Sequence, residues 1–222
     1  MGPEATMDLY MKIVKWFQAE KNAKYDDDFP AFAIESVPIP DVVEKIKNEN
    51  VILGMISSAA IRLESSKCKF IVIACNSVQY LLPEIQKKVN IPILGIAAVN
   101  TKYLIEQGYK RVGILGTETT INKKVYDNEL EEAKINLIGP SSKEQAFVTQ
   151  AIMEQLCGKI STDTKNRLLQ VINNLRKQKI EAILLACTEL PLILQQRDSD
   201  LPLIDCTKIY ADETAKLSTL LN

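Results

Sequence analysis

One pattern constrains this chain more than any other, and it occurs twice, about half a chain apart. The first copy is Phe70-Ile71-Val72-Ile73-Ala74-Cys75-Asn76-Ser77, followed by Ile91-Pro92-Ile93-Leu94. The second is Ala182-Ile183-Leu184-Leu185-Ala186-Cys187-Thr188-Glu189, followed by Leu201-Pro202-Leu203-Ile204. Each copy reads as a buried strand, a cysteine at its end, a polar turn, a helix and a second short apolar strand entered through Pro. Strands that alternate with helices in this way build parallel α/β sheets. Ligands of open α/β sheets bind outside the carboxyl ends of the strands, and both cysteines lie at such ends. Two thiols placed so are expected to face each other across a cleft.

The rest of the chain fits the same α/β class. Helices are expected from near Glu4 to Glu20, from Val51 to Leu63, from Ser77 to Lys88 and from Thr101 to Gln107, the last stopped by Gly108. A charged helix is expected up to about Ala133, then helices over Lys143–Leu156 and Thr164–Lys177. Besides the repeat strands, Ala31–Val37, Arg111–Leu115 and Ile135–Ile138 read as strands. The parallel between the halves predicts two Rossmann-like lobes with parallel sheets, related by a pseudo-twofold axis, with the site between them. The boundary falls near Ala97–Thr101. Residues 1–98 plus 206–222 form the N-terminal lobe, with the tail helix from Thr207 to Leu221 returning to it, and 99–205 form the C-terminal lobe.

Composition narrows the function. Histidine is absent, so Ser-His-Asp and Cys-His catalysis and imidazole metal sites are excluded. The five cysteines (Cys68, Cys75, Cys157, Cys187, Cys206) are odd in number, with no CxxC. That predicts reduced thiols, a cytoplasmic protein and no metal site. A net charge of −1 gives no reason to expect nucleic-acid binding. The basic run Lys12, Lys15, Lys21 and Lys24, followed at once by Asp26, Asp27 and Asp28, reads as a solvated helix face. No apolar run is long enough for a membrane span, no stretch reads as a secretory signal, and neither GxxxxGK[ST] nor GxGxxG occurs.

Cys75 and Cys187 each precede an expected helix start, where unpaired N–H groups favour anions. Such a place can lower a thiol pKa or hold a substrate carboxylate. Asn76, Ser77, Thr188 and Glu189 add polar side chains there, and Thr117 and Thr120 add hydroxyls from a third loop. A thiolate on one face of a carbon and a thiol on the other can remove and return a proton, which suits stereoinversion better than hydrolysis. A plainer reading stays open for each. Cysteine after an apolar strand often serves as a small hydrophobe, which is the reading for Cys68, Cys157 and Cys206. Ser77, Thr188, Thr117 and Thr120 also suit turns and helix caps, and Glu189 suits a first helical turn.

At these residues the chain resembles the aspartate/glutamate racemase family. The resemblance rests on Gly2-Pro3-Glu4-Ala5-Thr6 with Leu9-Tyr10, Ala74-Cys75-Asn76-Ser77, Gly116-Thr117 with Thr120 and Tyr126, Ala186-Cys187-Thr188-Glu189, and Leu201-Pro202-Leu203-Ile204-Asp205. It implies catalysis without pyridoxal phosphate or another cofactor, commonly in a homodimer. Cys75 and Cys187 are implied as the two bases. The Asn76-Ser77 and Thr188 turns, helped by Thr117 and Thr120, are implied to bind the substrate α-carboxylate. Four departures accompany it. Family members usually open with a strand and a double-glycine loop, so the N-terminal lobe is expected without its first strand. Gln79 stands where His is frequent. Val42 and Val43 follow Pro40-Asp41 where aspartate-specific members carry a basic residue, and no lysine takes the second side-chain position near Leu156–Gly158. Two other functions fit the residues: a related maleate- or hydantoin-type isomerase, and an amino-acid-binding paralogue with impaired turnover.

Overall fold

The computed structural model describes residues 2–221 and is a mixed α/β protein with two parallel sheets. The larger sheet contains β3 (Arg111–Gly116), β4 (Asn136–Ile138), β5 (Ala182–Ala186) and β6 (Leu203–Asp205) in the order β4-β3-β5-β6, all parallel. The smaller pairs β1 (Ile71–Val72) with β2 (Ile93–Leu94), also parallel.

β5 is buried at every position. Its uninterrupted apolar run follows from helices covering both faces of a parallel sheet. Successive side chains point to opposite faces, and the core divides accordingly. Ala182, Leu184 and Ala186 pack with Leu9, Ile13 and Phe17 of α1 (Pro3–Lys21), Leu104 of α4 (Ile96–Glu106) and Tyr210 of α10 (Cys206–Leu221). Ile183 and Leu185 pack on the opposite face with Val148 and Ile152 of α7 (Ser142–Leu156) and Leu168 and Ile172 of α8 (Thr162–Arg176). The same alternation carries Cys187, the next residue on that side, into the second cluster.

The smaller sheet rests on α2 (Glu49–Ser65). Ile52, Ile56 and Ala60 at helical spacing meet Ile71, Ile73, Ile85 and Ile93. The tail helix α10 packs on α1 and α4. Its Tyr210 hydroxyl accepts the Ile73 N–H at 3.1 Å and donates to the Leu94 carbonyl at 2.5 Å, tying the end of β1 to β2. Among the described residues no helix is long and apolar enough to cross a membrane.

Several expected elements are shorter or absent. Ala31–Val37 joins no sheet. Pro30, Pro38 and Pro40 bracket it and contribute no backbone donors. β1 is confined to two residues of the expected Phe70–Ala74, because its partner β2 is itself only two residues long between Pro92 and Gly95. The expected helix over Ser77–Lys88 is a 3-10 turn (Gln79–Leu81) followed by the short α3 (Leu82–Gln86), with Pro83 in its first turn. The charged helix up to Ala133 divides into α5 (Glu118–Asn122) and α6 (Asp127–Glu132), because Lys124 turns into the left-handed region at φ 52° between them. Between Cys187 and β6 the helical residues are the four-residue α9 (Leu190–Ile193) and a 3-10 turn (Gln196–Asp198).

Candidate active site

The two cysteine turns share a local geometry. In each, the N–H of the residue two positions on is aimed at the thiol: Ser77 for Cys75 and Glu189 for Cys187. Val78 adds a second N–H at Cys75. No long helix starts at either cysteine, so these few local N–H groups do the work expected of a helix terminus. They do not lower the thiols on balance. Burial, then the Glu189 charge, pushes the Cys75 thiol up to about 11. Burial, then the Glu189 charge and its hydrogen bond, raises Cys187 well above the ordinary thiol value. The Cys75 charge also raises Cys187, so ionising one thiol opposes ionising the other. The expectation of thiols lowered by helix ends is thereby corrected: desolvation of the charged form outweighs the N–H groups.

Ser77, Thr117 and Thr120 are brought together. Ser77 Oγ lies 2.8 Å from Thr117 Oγ1 and 3.4 Å from Thr120 Oγ1, and the two threonine hydroxyls are 2.9 Å apart. All three residues are buried. Thr117 also accepts the Thr120 N–H at 3.0 Å and so caps α5. The cap reading of Thr117 therefore holds. In this arrangement the hydroxyls satisfy one another, and a carboxylate entering between them would accept from several O–H groups at once.

Asn76 and Glu189 are fixed by buried partners. The Tyr126 hydroxyl donates to Asn76 Oδ1 at 2.5 Å, and Asn76 Nδ2 lies 3.5 Å from Cys206 Sγ. Burial, chiefly, holds the Cys206 thiol up at about 12 and keeps Tyr126 well above its ordinary value. Cys206 thus packs behind the site, in line with the packing reading. Glu189 Oε2 accepts from Cys187 Sγ at 2.9 Å and from Thr188 Oγ1 at 2.7 Å. Its Oε1 faces Gly2, where an added Cβ would lie at 3.4 Å.

Two residues have supporting roles: Gln79, which the sequence marks only as standing where His is frequent, and Gln145, which it does not mark. Buried Gln79 donates from Nε2 to the carbonyls of Ile73 (3.2 Å) and Cys75 (3.3 Å) and accepts the Ile96 N–H at 3.2 Å. It fixes the Cys75 turn against the start of α4. Gln145 of α7 donates to the Gly116 carbonyl at 2.9 Å and anchors the loop that carries Thr117. A lone Gln in a polar turn carries no pattern that reveals this bracing; the sequence marks Gln79 only by its place four residues after Cys75. Cys68 is half-buried and Cys157 exposed, and all five cysteines are free.

The model of the Asp/Glu/Hydantoin racemase family matches residues 1–214. The chain belongs to that family. The broad specificity amino-acid racemase RacX of Bacillus subtilis (strain 168) is 28% identical over 218 residues, 96% of this chain and 93% of that protein. A crystal structure of an aspartate racemase homologue from Pyrococcus horikoshii OT3 superposes with a TM-score of 0.82 at 26% identity, covering 98% of this chain and 95% of the other. Glutamate racemase from Francisella tularensis, solved with D-glutamate, shares the fold at a TM-score of 0.67 and 19% identity, over 95% of this chain and 77% of that one. Within this racemase family the chain is of the Asp/Glu type, and its parallel-sheet α/β architecture is that of its structural neighbours.

Proposed function

We propose that the chain is a cofactor-independent amino-acid racemase of the aspartate/glutamate type, inverting the α-carbon by proton transfer between Cys75 and Cys187. The observation that carries this reading is the pair of matched thiols, each with an N–H from two residues on, with the Cys75 charge raising Cys187. The substrate lies between the turns that follow β1 and β5. Ser77, Thr117 and Thr120 donate to its α-carboxylate, and Asn76 and Thr188 line the two ends. Glu189 Oε1 accepts from the α-ammonium.

In the reaction one cysteine, as thiolate, takes the α-hydrogen as a proton from one face. The electron pair left on the α-carbon spreads into the carboxylate, where the hydroxyl donors stabilise the growing charge. The other cysteine, as thiol, gives its proton to the opposite face and becomes the thiolate. Atoms and charge balance, and each turnover exchanges the roles of the two sulfurs. A buried site makes these charge interactions stronger than they would be in water. The lobes are 1–98 plus 206–222 and 99–205, with the site between them, and the protein acts as a cytoplasmic homodimer.

The residues leave the substrate side chain broad. Val42 packs in the core of the smaller sheet and Val43 against the α7–α8 core, and neither supplies a cation for an acidic side chain. The wild-type protein should be incubated with each proteinogenic amino acid in D₂O and both enantiomers quantified by chiral chromatography. Racemisation with deuterium at the α-carbon of the product is expected for at least one of them, with aspartate and glutamate as the first candidates. No exchange on any amino acid, with turnover of a hydantoin or maleate, would move the chain to a related isomerase.

A further inference from the structure

The two cysteine turns are alike in their backbone but not in what their sulfurs meet. Cys75 Sγ receives two backbone N–H groups, from Ser77 and Val78, and among the described residues no side-chain hydrogen bond acts on it. Cys187 Sγ receives one, from Glu189, and donates its own proton to Glu189 Oε2 at 2.9 Å. N–H groups aimed at sulfur favour the thiolate, whereas a carboxylate acceptor favours the thiol. The same carboxylate oxygen is held in place by Thr188 Oγ1 at 2.7 Å, and Glu189 is buried.

We propose that Glu189 is a positioning residue that holds Cys187 as the protonated member of the pair and leaves Cys75 as the member that forms the thiolate. The inference rests on the reading of Cys75 and Cys187 as the two bases. The groups that face Cys187 are Glu189 from its own turn, Cys75 from the opposite turn and Tyr126 from the start of α6. Among the described residues no ion pair engages Glu189. A near-symmetric pair of thiols is thereby given one starting arrangement. The enantiomer whose α-hydrogen faces Cys75 meets the base directly, and the other first needs the Cys187 proton moved. Enantiomers have equal free energy in water, so kcat/KM must be the same in both directions, and the asymmetry falls on kcat and KM separately.

The test is site-resolved alkylation of the intact protein by iodoacetamide from pH 6 to pH 11, read on each cysteine peptide by mass spectrometry. In the wild type, Cys75 is expected to become reactive at lower pH than Cys187. In Glu189→Gln the Cys187 curve should move down by about 1 to 3 pH units, the size of a single neighbouring charge's effect at close range, and the Cys75 curve by less. Glu189→Asp, which keeps the charge, should stay near wild type. Coincident wild-type curves, or an equal displacement of both cysteines in Glu189→Gln, would overturn the proposal. Alkylation needs no turnover, so this outcome is separate from the failure of the racemase reading, which the substrate panel decides.

Discussion

Ser77 Oγ and Thr117 Oγ1 lie 2.8 Å apart, although one follows the strand of the smaller sheet and the other a strand of the larger. This contact joins the two sheets at the carboxyl ends of their strands, where the repeated cysteines lie. If the hydroxyls receive a substrate carboxylate, Ser77→Ala removes one charge-assisted donor, worth about 1.5–3 kcal/mol. At about 1.4 kcal/mol per tenfold, kcat/KM for an amino acid should fall by roughly 10- to 100-fold with little change in Tm. Thr117→Ala should lose a similar factor and also about 1 kcal/mol of stability, because it removes the α5 cap. Thr117→Ser should recover both. Steady-state kinetics and thermal unfolding on the three variants check this; unchanged kcat/KM in Ser77→Ala counts against the carboxylate site.

Gly116 ends β3 directly before Thr117. A Cβ there would lie 3.1 Å from the Ala186 carbonyl and 3.4 Å from Thr120 Cβ. The first neighbour is backbone, so the strain must be met by a shift of the loop and of Thr120. Gly116→Ala should lower kcat/KM by roughly 10- to 100-fold through displaced hydroxyls. It should destabilise by about 1–3 kcal/mol. Wild-type kinetics in this variant would mean that Thr120 can move without consequence.

Tyr126 and Asn76 form a buried bond at 2.5 Å. Tyr126→Phe keeps the ring in the core but strips Asn76 Oδ1 of its strongest partner. A buried polar group left without a partner costs about 1–3 kcal/mol. Urea unfolding should show that loss, and KM should rise because Asn76 no longer has a fixed orientation. An unchanged midpoint would show that Cys206 Sγ, at 3.8 Å from Asn76 Oδ1, suffices.

The two thiols also make a prediction about pH. The folded-state pKa of Cys75 is raised to about 11, and Cys187 is raised as well, against roughly 8.5 in an unfolded chain. Between those values the folded protein binds more protons than the unfolded one, so stability falls as pH rises. The contribution is complete below about pH 8.5 and is lost through pH 11. Tm should decline across that window, and the decline should be shallower in Cys75→Ala. For activity the sign is opposite. The free enzyme needs one thiolate, so kcat/KM should climb with pH from neutral upward. A flat profile from pH 6 to pH 10 would contradict the raised thiols.

The repeat made most of this architecture legible. The apolar run at 182–186, the Pro-led strands and the cysteines at strand ends depend on local sequence, and each appears where the pattern puts it, although β1 and β2 are shorter than expected. The stretch at 31–37 has the apolar residues of a strand but joins no sheet, and three prolines bound it. The clustering of Ser77, Thr117 and Thr120 followed from placing two loops, one after a strand of each sheet, at the strands' carboxyl ends. The direction of the thiol shifts did not, since burial acts on every ionised group and leaves no sequence mark. Nor did the carboxylate contact of Cys187: Glu189 two residues on is compatible with a first-turn acid, a substrate ligand or a thiol acceptor, and the last of these is visible only in the side-chain geometry.

The measurement that bears most directly on the two-cysteine account is α-proton exchange in D₂O by Cys75→Ala, Cys187→Ala and the double variant, with the substrate found for the wild type. Racemisation should disappear in all three, each single variant should retain at most slow exchange from the one enantiomer that faces its remaining thiol, and the double variant should exchange nothing. Exchange at the wild-type rate by the double variant would contradict the account.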